Sequence, residues 1–165
     1  MFTLKAALFV AIVAVCSAHM CLLSPAQRGS LMGFNKAGAN DCILLKSPCG
    51  GRPKSDNVIT LRSMQNFTVV IQKNLDHWAQ ATPGQFTFNI AQPDGSGIKE
   101  LGMIPDMGEP SLTLYALNVT IPSSSAGNYI LQTQYVTKNP QAPSVFYQCA
   151  DIMIMAEQDK THIIG

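Results

Sequence analysis

The run Asn66-Phe67-Thr68-Val69-Val70-Ile71 repeats with a period of two. Phe67, Val69 and Ile71 fall on one face and Asn66, Thr68 and Val70 on the other, as in a strand with one side on a core. The same alternation returns in Phe86, Phe88 and Ile90 against Thr87 and Asn89, and in Val119 and Ile121 against Asn118 and Thr120. It returns again in Tyr129, Leu131 and Thr133 against Ile130, Gln132 and Gln134. Leu112 and Leu114 read as a short strand, and residues 145–155 as the last one. No internal repeat and no useful helical period interrupts the series. Short strands separated by turn signals predict an all-β, antiparallel β-sandwich.

Ala126-Gly127-Asn128-Tyr129-Ile130-Leu131-Gln132 resembles the penultimate strand of an immunoglobulin- or fibronectin-like sandwich, in which a Gly turn precedes an inward tyrosine. Residues 137–144, with Pro140 and Pro143, would join it to the last strand. Residues 19–54 are rich in Gly, Pro, Ser and Asn and lack a sustained period, so they read as a long N-terminal arm with short extended pieces. Pro48-Cys49-Gly50-Gly51 within it is a turn.

The 165 residues suffice for one domain with a core. Residues 1–18 read as a secretory signal: Lys5 is the basic start, residues 6–15 the apolar run, and Cys16-Ser17-Ala18 a small-residue cleavage site. That leaves residues 19–165 as a single domain, expected to be soluble, secreted and monomeric. The apolar run is too short to span a membrane, and the polar tail after Met155 does not resemble a lipid-anchor signal. Charged residues make up 13% and the formal net charge is +1, with no basic stripe, which argues against nucleic acid as a partner. Cys21, Cys42, Cys49 and Cys149 remain after the signal, an even count that implies two disulfides with three possible connectivities. Their spacings do not match common zinc patterns. Asn66-Phe67-Thr68 and Asn118-Val119-Thr120 are glycosylation acceptors in a eukaryotic host, both expected on outward faces.

Cleavage after Ala18 makes His19 the first residue. An N-terminal histidine offers an amine and an imidazole to the same metal, and a second histidine completes a T-shaped set of three nitrogens. Neutral nitrogens in tetragonal geometry suit Cu(II). Cleavage one to three residues earlier would remove this terminus. His77, in Asn74-Leu75-Asp76-His77-Trp78, lies at the end of the Phe67 strand, where a loop can reach a terminus packed at the same end. The competing reading is an exposed loop histidine. His162 falls in a polar tail. In Tyr147-Gln148-Cys149-Ala150-Asp151-Ile152 the period of two puts Asp151 on the face of Cys149. A carboxylate buried there needs a metal or a cation, so Asp151 is either a ligand or the partner of a salt bridge such as one to Arg28. Asp76, beside His77, competes for the ligand role.

His19 at the cleavage point, Pro25-Ala26-Gln27-Arg28-Gly29, Pro48-Cys49-Gly50-Gly51 and Tyr147-Gln148-Cys149-Ala150-Asp151-Ile152 together resemble the histidine-brace copper proteins related to lytic polysaccharide monooxygenases. The Cys-Ala-Asp-Ile ending is most similar to the copper-acquisition branch, known from secreted fungal proteins and animal proteins of that type. The resemblance spans nearly the whole mature chain. It implies an immunoglobulin-like sandwich with one Cu(II) ion at the mature terminus, held by His19, His77 and Asp151. Asp151 would stand where the oxidative enzymes carry tyrosine or phenylalanine. The resemblance also implies the pairings Cys49–Cys149 and Cys21–Cys42. Fungal members often carry a membrane-anchor signal; none is expected here, so membrane-tethered delivery is not expected either.

Three functions follow as expectations. The first is a secreted protein that acquires, buffers or delivers copper, with a copper transporter or the extracellular matrix as partner. The second is a copper monooxygenase acting on chitin or cellulose, for which a flat aromatic platform is thin, since Trp78 is the chain's one tryptophan. The third is a structural matrix protein.

Overall fold

The computed structural model describes residues 19–123 and 126–156; the signal expected at residues 1–18 and His162 lie outside them. Among the described residues, eight strands form two sheets: β1 (His19–Ser24), β2 (Ile59–Arg62), β3 (Asn66–Leu75), β4 (Gln85–Ala91), β5 (Lys99–Pro105), β6 (Thr113–Thr120), β7 (Gly127–Val136) and β8 (Val145–Met155). The smaller sheet runs β1-β3-β6 and the larger β2-β8-β7-β4-β5. The alternation builds the core as expected. Val69 and Ile71 of β3 meet Phe86 and Phe88 of β4, Leu131 and Tyr135 of β7, and Phe146, Ala150 and Ile152 of β8 in one buried cluster.

Several elements differ from the sequence reading. The first six residues of the arm are a strand, paired antiparallel with β3. The segments around Leu114 and Val119 are one strand, β6, not two. β5 carries no clean alternation and has no counterpart in the sequence reading. The sandwich also holds one parallel pair, because β2 runs alongside β8 in the same direction.

The rest of the arm wraps the outer faces of both sheets. Cys21–Cys42 staples it to β1 and Cys49–Cys149 to β8, the pairing that the resemblance implied. Backbone groups of this irregular stretch need partners once covered, and side-chain amides supply them. Asn74 Nδ2 donates to the carbonyls of Phe34 (2.9 Å) and Lys36 (3.1 Å), and its Oδ1 accepts from Ala39 N (2.9 Å). Gln27 Nε2 donates to the carbonyls of Ser30 (2.8 Å) and Asp41 (2.9 Å). Gln148, inward on β8, donates to the carbonyls of Met20 (2.9 Å) and Asp41 (3.1 Å). Gln132 does the same for Pro48 (2.8 Å) on the opposite face.

Candidate metal centre

His19 opens β1 and pairs with Leu75, the last residue of β3. His77 lies two residues beyond Leu75. The antiparallel register therefore brings His19, the expected first residue of the mature chain, and His77 to one end of the small sheet. Both histidines are buried, at 3% and 4% exposure. The His77 ring stacks on Phe146, with centroids 6.4 Å apart and planes 19° from parallel. Asn139 Nδ2 donates to the His77 carbonyl at 3.1 Å, which ties the loop after β3 to the loop between β7 and β8.

Next to His77 in the chain, Asp76 belongs to a polar cluster whose other members, Lys73, Asp106 and Tyr135, the sequence reading missed. Lys73 is completely buried, and its ammonium donates to Asp106 Oδ1 and to the Glu109 carbonyl, both at 2.7 Å. It also pairs with Asp76. The Tyr135 hydroxyl donates to the other oxygen of Asp106. Asp76 accepts from Trp78 N at 2.9 Å, and its own N–H donates to Ser111 Oγ at 2.9 Å. Lys73 faces two carboxylates, so the trio carries a formal charge of −1 beside His77. Burial raises the Tyr135 hydroxyl pKa, and its bond to Asp106 raises it further, so this proton stays in place. The signal was in the sequence: Lys73 continues the inward series Phe67, Val69, Ile71, where an apolar residue is due. Trp78 is half-buried and packs against Gly108, where a Cβ would come within 2.9 Å of its ring.

Asp151 lies elsewhere. Arg28 Nε donates to its Oδ2 at 2.9 Å and Nη2 to its Oδ1 at 2.7 Å, a bidentate pair. Ser55 N adds a third bond at 2.8 Å. The structure thus gives the salt-bridge partner the sequence suggested. Phe146, against which His77 stacks, is five positions away on β8, roughly 16 Å at the rise of a strand. Five is odd, so the two side chains face opposite sides of the sheet. Phe146 points into the core, and Asp151 points into the cover formed by the arm. The structure brings His19, His77 and Asp76 to one end and leaves Asp151 apart. Among the described residues, no group of three or more His, Cys, Asp and Glu side chains is assembled to hold a metal ion. A terminal amine with two imidazoles contributes only two such side chains.

A two-sheet β-sandwich, with the histidine that opens its first strand buried at the same end as a second histidine, defines the class. Solved structures share the fold. The catalytic domain of LPMO Lmo2467 from Listeria monocytogenes matches with a TM-score of 0.55 and 18% identity, over 83% of this chain and 99% of that one. A lytic polysaccharide monooxygenase from Jonesia denitrificans matches with a TM-score of 0.53 and 11% identity, over 83% of this chain and all of that one (100%). No curated protein matches the sequence. The family described as "Copper acquisition factor BIM1-like" matches residues 17–163, and the chain belongs to that family. No helix among the described residues is long and apolar enough to cross a membrane.

Proposed function

We propose that this is a secreted copper-binding protein that holds one Cu(II) ion at its mature terminus, for acquisition, buffering or delivery. The ligands would be the His19 amine, the His19 imidazole and the His77 imidazole. The observation that supports this most is the pairing of His19 with Leu75, two residues from His77. The donor set fits the ion, since three neutral nitrogens suit Cu(II) better than hard divalent cations. The formal negative charge of the Lys73, Asp76 and Asp106 trio favours a cation nearby. When bound, the ion would supply a site that can be loaded and emptied, because its ligands take up protons in competition with it. Asn139 and Phe146 would hold the His77 loop and ring in position.

The expected third ligand, Asp151, would have to give up Arg28 to reach the ion. Its bidentate pair favours a structural role, and Asp76 is the carboxylate nearer to His77 in the chain. The fold shared with lytic polysaccharide monooxygenases supports a second reading, oxidative cleavage of chitin or cellulose. The two are separated by incubating the copper-loaded chain with each polymer and a reductant. Copper acquisition predicts one Cu(II) per chain in a calorimetric titration and no oxidised oligosaccharides. Copper-dependent release of such products would replace it with the enzymatic reading. A chain that begins at Ala18 instead of His19 would lack the free His19 amine and should lose the three-nitrogen set shared with His77.

A further inference from the structure

The two glycosylation acceptors lie far apart in sequence and pair directly in the fold. β3 and β6 are antiparallel, with Asn66 opposite Thr120, Phe67 opposite Val119 and Thr68 opposite Asn118. Each Asn-x-Thr tripeptide is thus the register partner of the other. Their side chains are cross-linked reciprocally: Thr120 Oγ1 donates to Asn66 Oδ1 at 2.9 Å, and Thr68 Oγ1 donates to Asn118 Oδ1. All four residues are exposed, while Val119 between them is buried in the core. The arm, which covers Gln72 and Asn74 further along β3, leaves this end uncovered.

We propose that Asn66 and Asn118 are a coupled pair of N-glycosylation sites, filled before β3 and β6 pair, whose glycans share one patch. In the transfer, the Asn Nδ2 forms a bond to the anomeric carbon of an oligosaccharide carried on a lipid diphosphate. The lipid diphosphate leaves with the bonding electrons, and the amide gives up one proton. Once the sheet has formed, neither tripeptide can be lifted into an enzyme without parting the ladder that holds both. The folded sheet nevertheless accommodates the products. The reciprocal hydrogen bonds use Oδ1 of each asparagine, and the sugar is carried on Nδ2. Diagonal positions on paired strands are about 7–8 Å apart, so both glycans leave from the same patch. From Asn66 to Leu75 is nine residues, about 30 Å of strand. The glycans therefore stand at the end of the sheet away from His19 and His77.

The test is independent of copper chemistry. Secreted from a eukaryotic host, the chain should lose the mass of two glycans on treatment with peptide-N-glycosidase, and Thr68→Ala and Thr120→Ala should each lose one. Folded protein made in bacteria should not be modified by purified oligosaccharyltransferase and its lipid-linked donor. The reduced, unfolded chain should be modified at both sites. Wild type and Asn66→Gln/Asn118→Gln should bind the same number of copper ions. A secreted chain with no glycan or only one would overturn the pair. Equal modification of folded and unfolded chains would overturn the order of events.

Discussion

Arg28 and Asp151, 123 residues apart, form a buried bidentate pair between the arm and the last strand. Taking one partner away leaves the other charged and buried, which typically costs about 3–5 kcal/mol. Asp151→Ala should therefore shift the urea unfolding midpoint markedly while leaving the copper spectrum unchanged, as should Arg28→Ala. A changed spectrum in the folded Asp151→Ala protein would return this carboxylate to the ligand set. Burial alone would raise the Asp151 pKa, but Arg28 and the Ser55 N–H outweigh it and hold the carboxyl below its ordinary value of 3.8. A carboxyl with a depressed folded pKa contributes stability above its unfolded pKa, and that contribution is lost as pH falls through the folded one. Unfolding followed through the acid range, downward from above the ordinary carboxylate pKa, should show an acid limb that is weaker in Asp151→Asn. At this scale the sequence was half legible. The period of two showed that Asp151 shares the face of Cys149 and needs a partner. Which partner depends on where the arm crosses β8, and an aperiodic arm gives no register to read.

The strands with one face on the core were readable because an apolar face alternates with a largely polar one, as in Phe86, Phe88 and Ile90 of β4 against Thr87 and Asn89. β5 escaped because it is an edge strand of mostly exposed or half-buried residues around Gly102, so burial imposes little pattern on it. β1 escaped because its first four residues are all buried, sheet on one side and arm on the other, and no alternation survives. β3 was legible except where it matters for the site. Lys73 breaks the inward apolar series because it serves the loops beyond the strand, reaching Asp76, Asp106 and the Glu109 carbonyl. Lys73→Met should cost about 3–5 kcal/mol, since it strands Asp106 in the interior. Lys73→Met with Asp106→Asn removes both charges and should recover a large part of that loss in a double-mutant cycle measured by urea unfolding. Additive losses would mean the two groups act separately. Copper affinity in the double variant should also fall, because the pairing that steadies the Asp76–His77 turn is gone.

Across the whole molecule, the arm is joined to the sandwich by two covalent ties and a set of amide hydrogen bonds. Cys49–Cys149 spans 100 residues and in the chain-entropy model contributes on the order of 4–5 kcal/mol. Replacing both cysteines with serine should lower the unfolding free energy by that order. The loss should reach the proposed copper site only through global unfolding, since this bridge sits on the outer face of β8. A copper spectrum altered in the folded variant would show that the arm positions the histidines directly. The proposed site depends on one feature of maturation and one of topology: a chain that starts at His19 and a strand, β1, that pairs back against the end of β3. Binding should weaken in acid, because the terminal amine and both imidazoles must shed protons to coordinate. The most direct measurement is electron paramagnetic resonance of the mature chain loaded with one equivalent of Cu(II), beside His77→Ala. Coupling to three nitrogens in wild type and to two in the variant is the result expected if His19 and His77 hold the ion. Identical spectra for the two proteins would contradict it.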